Sequence, residues 1–195
     1  MMKKLVMLSM IFLLSSCSPV KLEPMNTYEL NKLPAPIVKN TKKEITILVT
    51  MPEIDPVYNT NQIAYTLKPY EISYYSKNTW AATPAQMLQP LIIQSLLNTH
   101  HYIVISSASM AHYDFLLNTQ ILKLQQEFDC HCCSVVRMTL RAELIGVLSN
   151  QVRATKQFSV VVPVCGIAPY CAVIAANQAS AEILYQLTRF CLKVL

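Results

Sequence analysis

Residues 134–148 read SVVRMTLRAELIGVL, and their period of two decides the fold. Val136, Met138, Leu140, Ala142 and Leu144 alternate with Arg137, Thr139, Arg141 and Glu143. Successive strand side chains point to opposite faces, so this segment has one buried and one wet face, the pattern of an antiparallel sheet. Working outward, residues 152–162 repeat it, with Val152, Ala154, Phe158 and Val160 set against Arg153, Thr155, Gln157 and Ser159. A third long strand is expected upstream, from about Tyr113 to Glu127.

The flanking segments complete an α+β reading. Ile45, Ile47 and Val49 alternate as a short strand, and residues 51–60, with Pro52 and Pro56, read as a loop. Ile63, Tyr65 and Leu67, then Tyr70, Ile72 and Tyr74, form two alternating runs broken at Lys68-Pro69, which predicts a hairpin. Thr83-Pro84-Ala85-Gln86 has the form of a capping box with proline at the first helical position. That helix would reach about Asn98 and bury Leu88, Leu91, Ile92 and Leu96; Pro90 either kinks it or opens its regular part. Tyr102 to Ser106 reads as another strand. From Ala172 to about Lys193, Gln178, Glu182, Gln186, Arg189 and Lys193 share one stripe at helical spacing, opposite Ala176, Ile183, Leu187, Cys191 and Val194. The expected architecture is a mostly antiparallel sheet with two amphipathic helices packed on one face. The stripe Arg137, Thr139, Arg141, Arg153 and Thr155 should lie on the other face.

Composition excludes several classes. The chain of 195 residues is 53% hydrophobic with mean hydropathy +0.33. Its longest unbroken apolar run beyond residue 17 is Tyr170 to Ala176, far short of the about 20 residues of a spanning helix. Two glycines leave no Gly-rich phosphate loop, and 14% charged residues do not make a disordered tail. The net charge of +5, without a basic cluster beyond Lys42-Lys43, gives nucleic-acid binding no support.

The first residues are an address. Lys3 and Lys4 precede the apolar stretch Leu5 to Leu14, and small residues then lead to a cysteine. Leu14-Ser15-Ser16-Cys17 resembles the bacterial lipobox, in which the chain is cut before a cysteine that carries acyl chains. On this reading residues 1–16 are a signal peptide and Cys17 is lipidated. Residues 17–43, with Pro19, Pro24, Pro34 and Pro36, form an extended tether with a short strand expected at Tyr28-Glu29-Leu30, and residues 44–195 form one periplasmic domain. By resemblance to the enterobacterial sorting rule, Ser18 after the cysteine favours the outer membrane.

Catalytic patterns are missing from the sequence. It holds no nucleophile elbow, His-Glu-x-x-His pair or dinucleotide fingerprint, and no cofactor is implied. Glu53 and Asp55 read as a solvated loop, His100-His101 as a helix end complementing the dipole, and Trp80 as a core anchor. Asp129-Cys130-His131-Cys132-Cys133 is a tight cluster between two long strands, while Cys165 and Cys171 flank the loop after the third. If those strands run up, down and up, both thiol groups lie at one end of the sheet. Export to an oxidising compartment makes disulfides the default, with Cys130, Cys132 or Cys133 pairing to Cys165 or Cys171. Zinc bound by His131 and the clustered thiols, although the spacing fits a zinc knuckle poorly, and free buried thiols are the alternatives. Cys191, far along the last helix, reads as a buried free thiol.

Several segments together resemble a known family. They are the lipobox, Tyr28-x-Leu30, Met51-Pro52, the run Tyr58 to Tyr65, Tyr74-Tyr75, Trp80-Ala81 before Met87-Leu88, Tyr113 to Leu117, and Ala175-Ala176-Asn177. Their order resembles the ABC-type transport auxiliary lipoproteins, the paraquat-inducible-protein-C-like family; the Cys130–Cys133 cluster and the scarcity of glycine are departures. The resemblance implies a partner rather than a reaction: an MCE-domain protein and an ABC permease that move lipid between two membranes, with this chain as the outer-membrane docking component. A lipoprotein assisting another envelope machine, for secretion or lipopolysaccharide export, is the other reading. A homo-oligomer stays open beside a monomer.

Overall fold

The structure is a computed structural model, and it describes residues 24–39, 44–107, 112–129, 133–166 and 168–195. Its elements are β1 (Asn26–Tyr28), β2 (Thr46–Val49), β3 (Glu53–Ile54), β4 (Gln62–Thr66), β5 (Ser73–Trp80), α1 (Pro84–Leu97), β6 (Ile103–Ile105), β7 (Phe115–Phe128), β8 (Ser134–Gly146), β9 (Gln151–Pro163) and α2 (Pro169–Val194).

The long strand β7 organises the sheet. Along one edge it pairs antiparallel with the whole of β8, which pairs in turn with β9. Along its other edge it takes β2, β3 and β4 in succession, all parallel. The sheet is therefore mixed: its long ladders are antiparallel as the alternation requires, and its short strands add parallel edges. Strands of two to five residues are too short for period alone to give direction.

The inward faces match the expectation except at the start of β9, where the ladder shifts register between Leu144 and Ile145 and Val152, expected inside, pairs with Ile145 and is 56% exposed. Met138, Leu140, Ala142 and Leu144 of β8 are fully buried, with Leu117 and Ile121 of β7 and Phe158 of β9 beside them. Burying each such large side chain contributes about 1.5–3 kcal/mol, so this layer is the main source of stability. Both helices enter the same core cluster, α1 through Leu88, Ile92 and Leu96 and α2 through Ala179, Ile183, Leu184 and Leu187. The small residues Ala172, Ala175, Ala176 and Ala179 let α2 approach the sheet closely. Its buried hydroxyls are satisfied inside the helix, Ser180 donating to the Ala176 carbonyl and Thr188 to that of Leu184, each at 2.8 Å.

Four local results refine the sequence reading. Helix α1 runs unbroken from Pro84, because Pro90 lies on its exposed side, where the carbonyl it leaves unpaired meets water. The Gln86 side chain accepts from the Thr83 N–H at 3.1 Å, the reciprocal half of the expected capping box. The expected loop 51–60 contains β3 and a 3-10 turn at Pro56–Tyr58, capped by the Asp55 carboxylate accepting from the Val57 N–H at 3.0 Å. In the hairpin, Tyr70 takes φ 68° and the second strand starts only at Ser73, so Tyr70 and Ile72 belong to the turn.

The largest correction concerns residues 24–39. Assigned by their prolines to a tether outside the domain, they are instead packed on it. Strand β1 pairs parallel with β5, Leu30 is buried in the core, and the Lys39 N–H donates to the Thr99 carbonyl at 3.1 Å. The prolines do keep this segment extended, but extension along α2 is what brings Leu30 into the core. Of the proposed tether, residues 17–23 and 40–43 lie outside the described residues.

Candidate functional site

The outer face of β7–β9 carries the polar stripe read from the sequence. Arg137 sits opposite Gln125 and Arg141 opposite Gln120, so the cations of β8 face the polar residues of β7. The Arg137 Nε donates to both Glu127 carboxylate oxygens at 3.0 Å, and an Arg141 terminal nitrogen donates to the Gln120 side-chain oxygen at 2.7 Å. Thr139 bonds Ser159 at 3.2 Å and is buried between its neighbours, while Arg141, Arg153 and Thr155 are exposed. This face is a hydrogen-bonded platform with arginines at its surface. Among the described residues β9 pairs only with β8, so its second edge presents unpaired backbone groups beside that platform.

At the base of the platform, Tyr58 donates to Gln125 at 2.6 Å. Burial first, then the nearby Asp55 and Glu127 charges, push the Tyr58 phenol up to about 12. It acts as a neutral hydrogen-bond donor.

Of the candidate thiols, Cys133, Cys165 and Cys171 are among the described residues. Val135 lies opposite Pro163, and the Val164 N–H donates to the Ser134 carbonyl at 2.9 Å. Continuing that register sets Cys133 across from Cys165. The Cys165 and Cys171 thiols are hydrogen-bonded to each other, and this bond, with burial and the Cys165 charge behind it, holds the Cys171 thiol above its ordinary range. Cys133, Cys165 and Cys171 are free thiols here, as is Cys191, which is fully buried. Burial pushes the Cys191 thiol up to about 12. Cys17, Cys130, Cys132 and His131 lie outside the described residues. Among the described residues no group of three or more histidine, cysteine or acidic side chains could hold a metal ion.

The remaining candidates have structural roles. Asp55 caps the 3-10 turn and does not pair with Glu53. His100 takes φ 54° in the turn after α1, where glycine is the usual occupant, and His101 is buried with its ring edge-on to Tyr102 at 4.8 Å. Trp80 is buried in the core, as read.

Sequence reasoning singled out Asn177 only as part of a resemblance. Its side chain fastens residues 29–32 to α2: the oxygen accepts from the Asn31 and Lys32 N–H groups at 2.9 and 3.1 Å, and the nitrogen donates to the Glu29 carbonyl at 3.0 Å. An open groove lined by Tyr28, Asn31, Lys32, Tyr170, Val173 and Asn177 runs along this junction. The apolar cavity bounded by Ile63, Trp80, Leu124, Val136 and Ala176 has about 10 Å³ of free volume, room for at most one water and not for an acyl chain.

Comparison with known proteins follows the same lines. The family model described as the ABC-type transport auxiliary lipoprotein component matches residues 28–187. Among solved structures, a DUF330-family protein of Xanthomonas campestris superposes with TM-score 0.75 at 17% identity, covering 87% of this chain and 96% of its own. An uncharacterised protein superposes with TM-score 0.71 at 15% identity, over 87% and 99% of the two chains. At these identities the likeness is one of fold. No curated protein matches the chain.

Proposed function

The chain belongs to the ABC-type transport auxiliary lipoprotein family, and from that premise we propose that it is the outer-membrane-anchored, periplasmic docking component of an MCE–ABC-type intermembrane lipid transporter. The family match over residues 28–187 carries the reading. Three features support it. The export signal ends in Cys17, a lipid attachment point. Beside the open edge of β9, the outer face offers arginines and hydrogen-bonding side chains. The cavity under Trp80 is too small for a lipid chain, which favours a role in docking over one in carrying lipid through the core.

A sheet edge of this kind can take a partner strand, with main-chain hydrogen bonds supplying affinity and flanking side chains specificity. The partners are then an MCE-domain protein and, through it, an ABC permease. The role is non-catalytic, and the acyl chains on Cys17 keep the domain at the periplasmic face of the membrane.

The test is site-specific photocrosslinking in cells from Gln157, exposed on the outer face of β9 and opposite Arg141. An MCE-domain protein should be captured. Capture of a secretion or lipopolysaccharide-export component alone would move the chain to another envelope machine. In parallel, Cys17→Ser should leave an uncleaved precursor that no longer labels with palmitate; labelling that persists would remove the anchor from the proposal.

A further inference from the structure

The polar stripe of α2 does not face open water along its whole length. Its C-terminal half forms one wall of a groove of about 730 Å³, closed on the other sides by β9 and by the segment around Ile37 and Lys39. Four cations line it: Lys39, Lys156, Arg189 and Lys193. One carboxylate, Glu182, lines it as well, and that side chain accepts a hydrogen bond from Gln186 at 2.8 Å.

Attraction to a helix C-terminus accounts for a basic residue in the last turn, which is Lys193. It does not account for Lys39 and Lys156, which arrive from two other elements to the same groove. Among the described residues none of the four cations stands in an ion pair. Two of them rest on aromatic rings, Lys156 at 5.3 Å from the Phe158 centroid and Arg189 at 5.8 Å from that of Tyr185. A ring face orients a cation without neutralising it, so the charge stays available to a ligand. Like charges gathered round one groove repel one another, and an anion bound among them relieves that repulsion.

The rest of the lining is apolar or aromatic: Ile37, Tyr185, Phe190 and Leu192. The groove volume falls in the range of small-molecule sites, about 300–1,000 Å³. We propose that this groove is a binding site for the phosphate-bearing headgroup of an anionic lipid, with the phosphate among Lys39, Lys156, Arg189 and Lys193 and the start of the acyl chains against Ile37 and Leu192. An acidic peptide would satisfy the cations but has no use for the apolar side. The site is a property of the isolated chain, so it stands or falls apart from the docking role.

The test uses the full-length protein in neutral detergent micelles, titrated with dihexanoyl-phosphatidylglycerol by calorimetry at about 0.15 M salt, where exposed charges are already screened beyond roughly 8 Å. Saturable binding is expected, weakened at least about tenfold in the double variant Lys156→Gln, Arg189→Gln. Both side chains project from the surface, so circular dichroism should find the variant folded. Absence of saturation, or equal binding by a folded variant, would overturn the site. So would equal affinity for inorganic phosphate, or tighter binding of a hexaglutamate peptide. Weaker binding of dihexanoyl-phosphatidylcholine than of the glycerol lipid supports it, because the choline cation opposes the same lysines.

Discussion

The Asn177 side-chain nitrogen on α2 donates to the Glu29 carbonyl at 3.0 Å, across most of the sequence, and so ties the leading segment to the last helix. The same amide accepts two further backbone N–H bonds, and Leu30, between the bonded residues, is thereby set into the core beside Met87, whose sulfur accepts the Leu30 N–H at 3.4 Å. Asn177→Ala removes all three bonds to this segment at once. A loss of about 1–3 kcal/mol is expected. Hydrogen exchange should rise across residues 24–39 before it rises in β7 or β8; uniform exchange across the domain would show that the clasp is dispensable.

Thr119 has the opposite role. It faces inward from β7 opposite Ala142, and its hydroxyl is the one buried side-chain polar atom without a partner among the described residues. Thr119→Val keeps the shape and removes the desolvated hydroxyl. The variant should be more stable by about 1 kcal/mol, with a higher urea midpoint and an unchanged slope. A lower midpoint would mean that the hydroxyl has a bound water as partner.

The strands that carry the core were legible because each alternates over many residues. Ser134–Gly146 is the clearest case, since Val136 through Leu144 keep one parity throughout. Strand β7 hides its parity. Ile121 and Leu124 both face the core although three residues apart, because the ladder shifts between Ile121 and Lys123 and the bulge turns the chain over. Such a bulge leaves no signal that alternation can show. Residues 24–39 hide their docking in the sequence for a different reason. Proline content predicts extension, and an extended segment with a single buried leucine looks the same in sequence whether it is docked or free. Of the candidate site, the outer polar face followed from strand alternation, and of the thiol cluster only the placing of Cys133 opposite Cys165 falls among the described residues. The Asn177 clasp and the basic groove needed tertiary contacts between residues more than a hundred apart, which no local pattern encodes.

Burial also makes the fold sensitive to alkali. Cys191 is raised from 9.0 to about 12 and Tyr58 from 10.0 to about 12, the former by burial and the latter by burial and neighbouring acids. Both groups are neutral when protonated, so the unfolded chain loses its protons first. Their contribution is fully present below the unfolded values and is lost as pH rises through the folded ones. Melting temperature should therefore hold up to about pH 9 and fall between about 9 and 12. Cys191→Ala should flatten the first part of that fall, at a cost of about 1 kcal/mol at neutral pH for the small cavity. An unchanged alkaline profile in the variant would remove Cys191 as its cause.

The thiols at the end of the sheet make the last prediction. Cys165 and Cys171 are already hydrogen-bonded, and the register that joins Val164 to Ser134 sets Cys133 across from Cys165. Directly opposite residues of an antiparallel pair lie about 4.5–5.5 Å apart at Cα, within the reach of a disulfide. Cys165 is thus the sulfur with two partners near it. Oxidation removes two electrons and two protons from a thiol pair, and oxidised glutathione serves as the acceptor in the test. Oxidised, unreduced protein should yield a peptide in which Cys165 is linked to Cys171 or to a cysteine of the 130–133 cluster. Substituting Cys165→Ser should lower the yield of linked peptide more than Cys171→Ser or Cys133→Ser, since only Cys165 has both partners. Cys191 should react with iodoacetamide only after denaturation, because burial keeps it protonated. A linkage from Cys191 to any of the others, or a full set of free thiols after incubation with oxidised glutathione, would show that the end of the sheet is not arranged as this register requires.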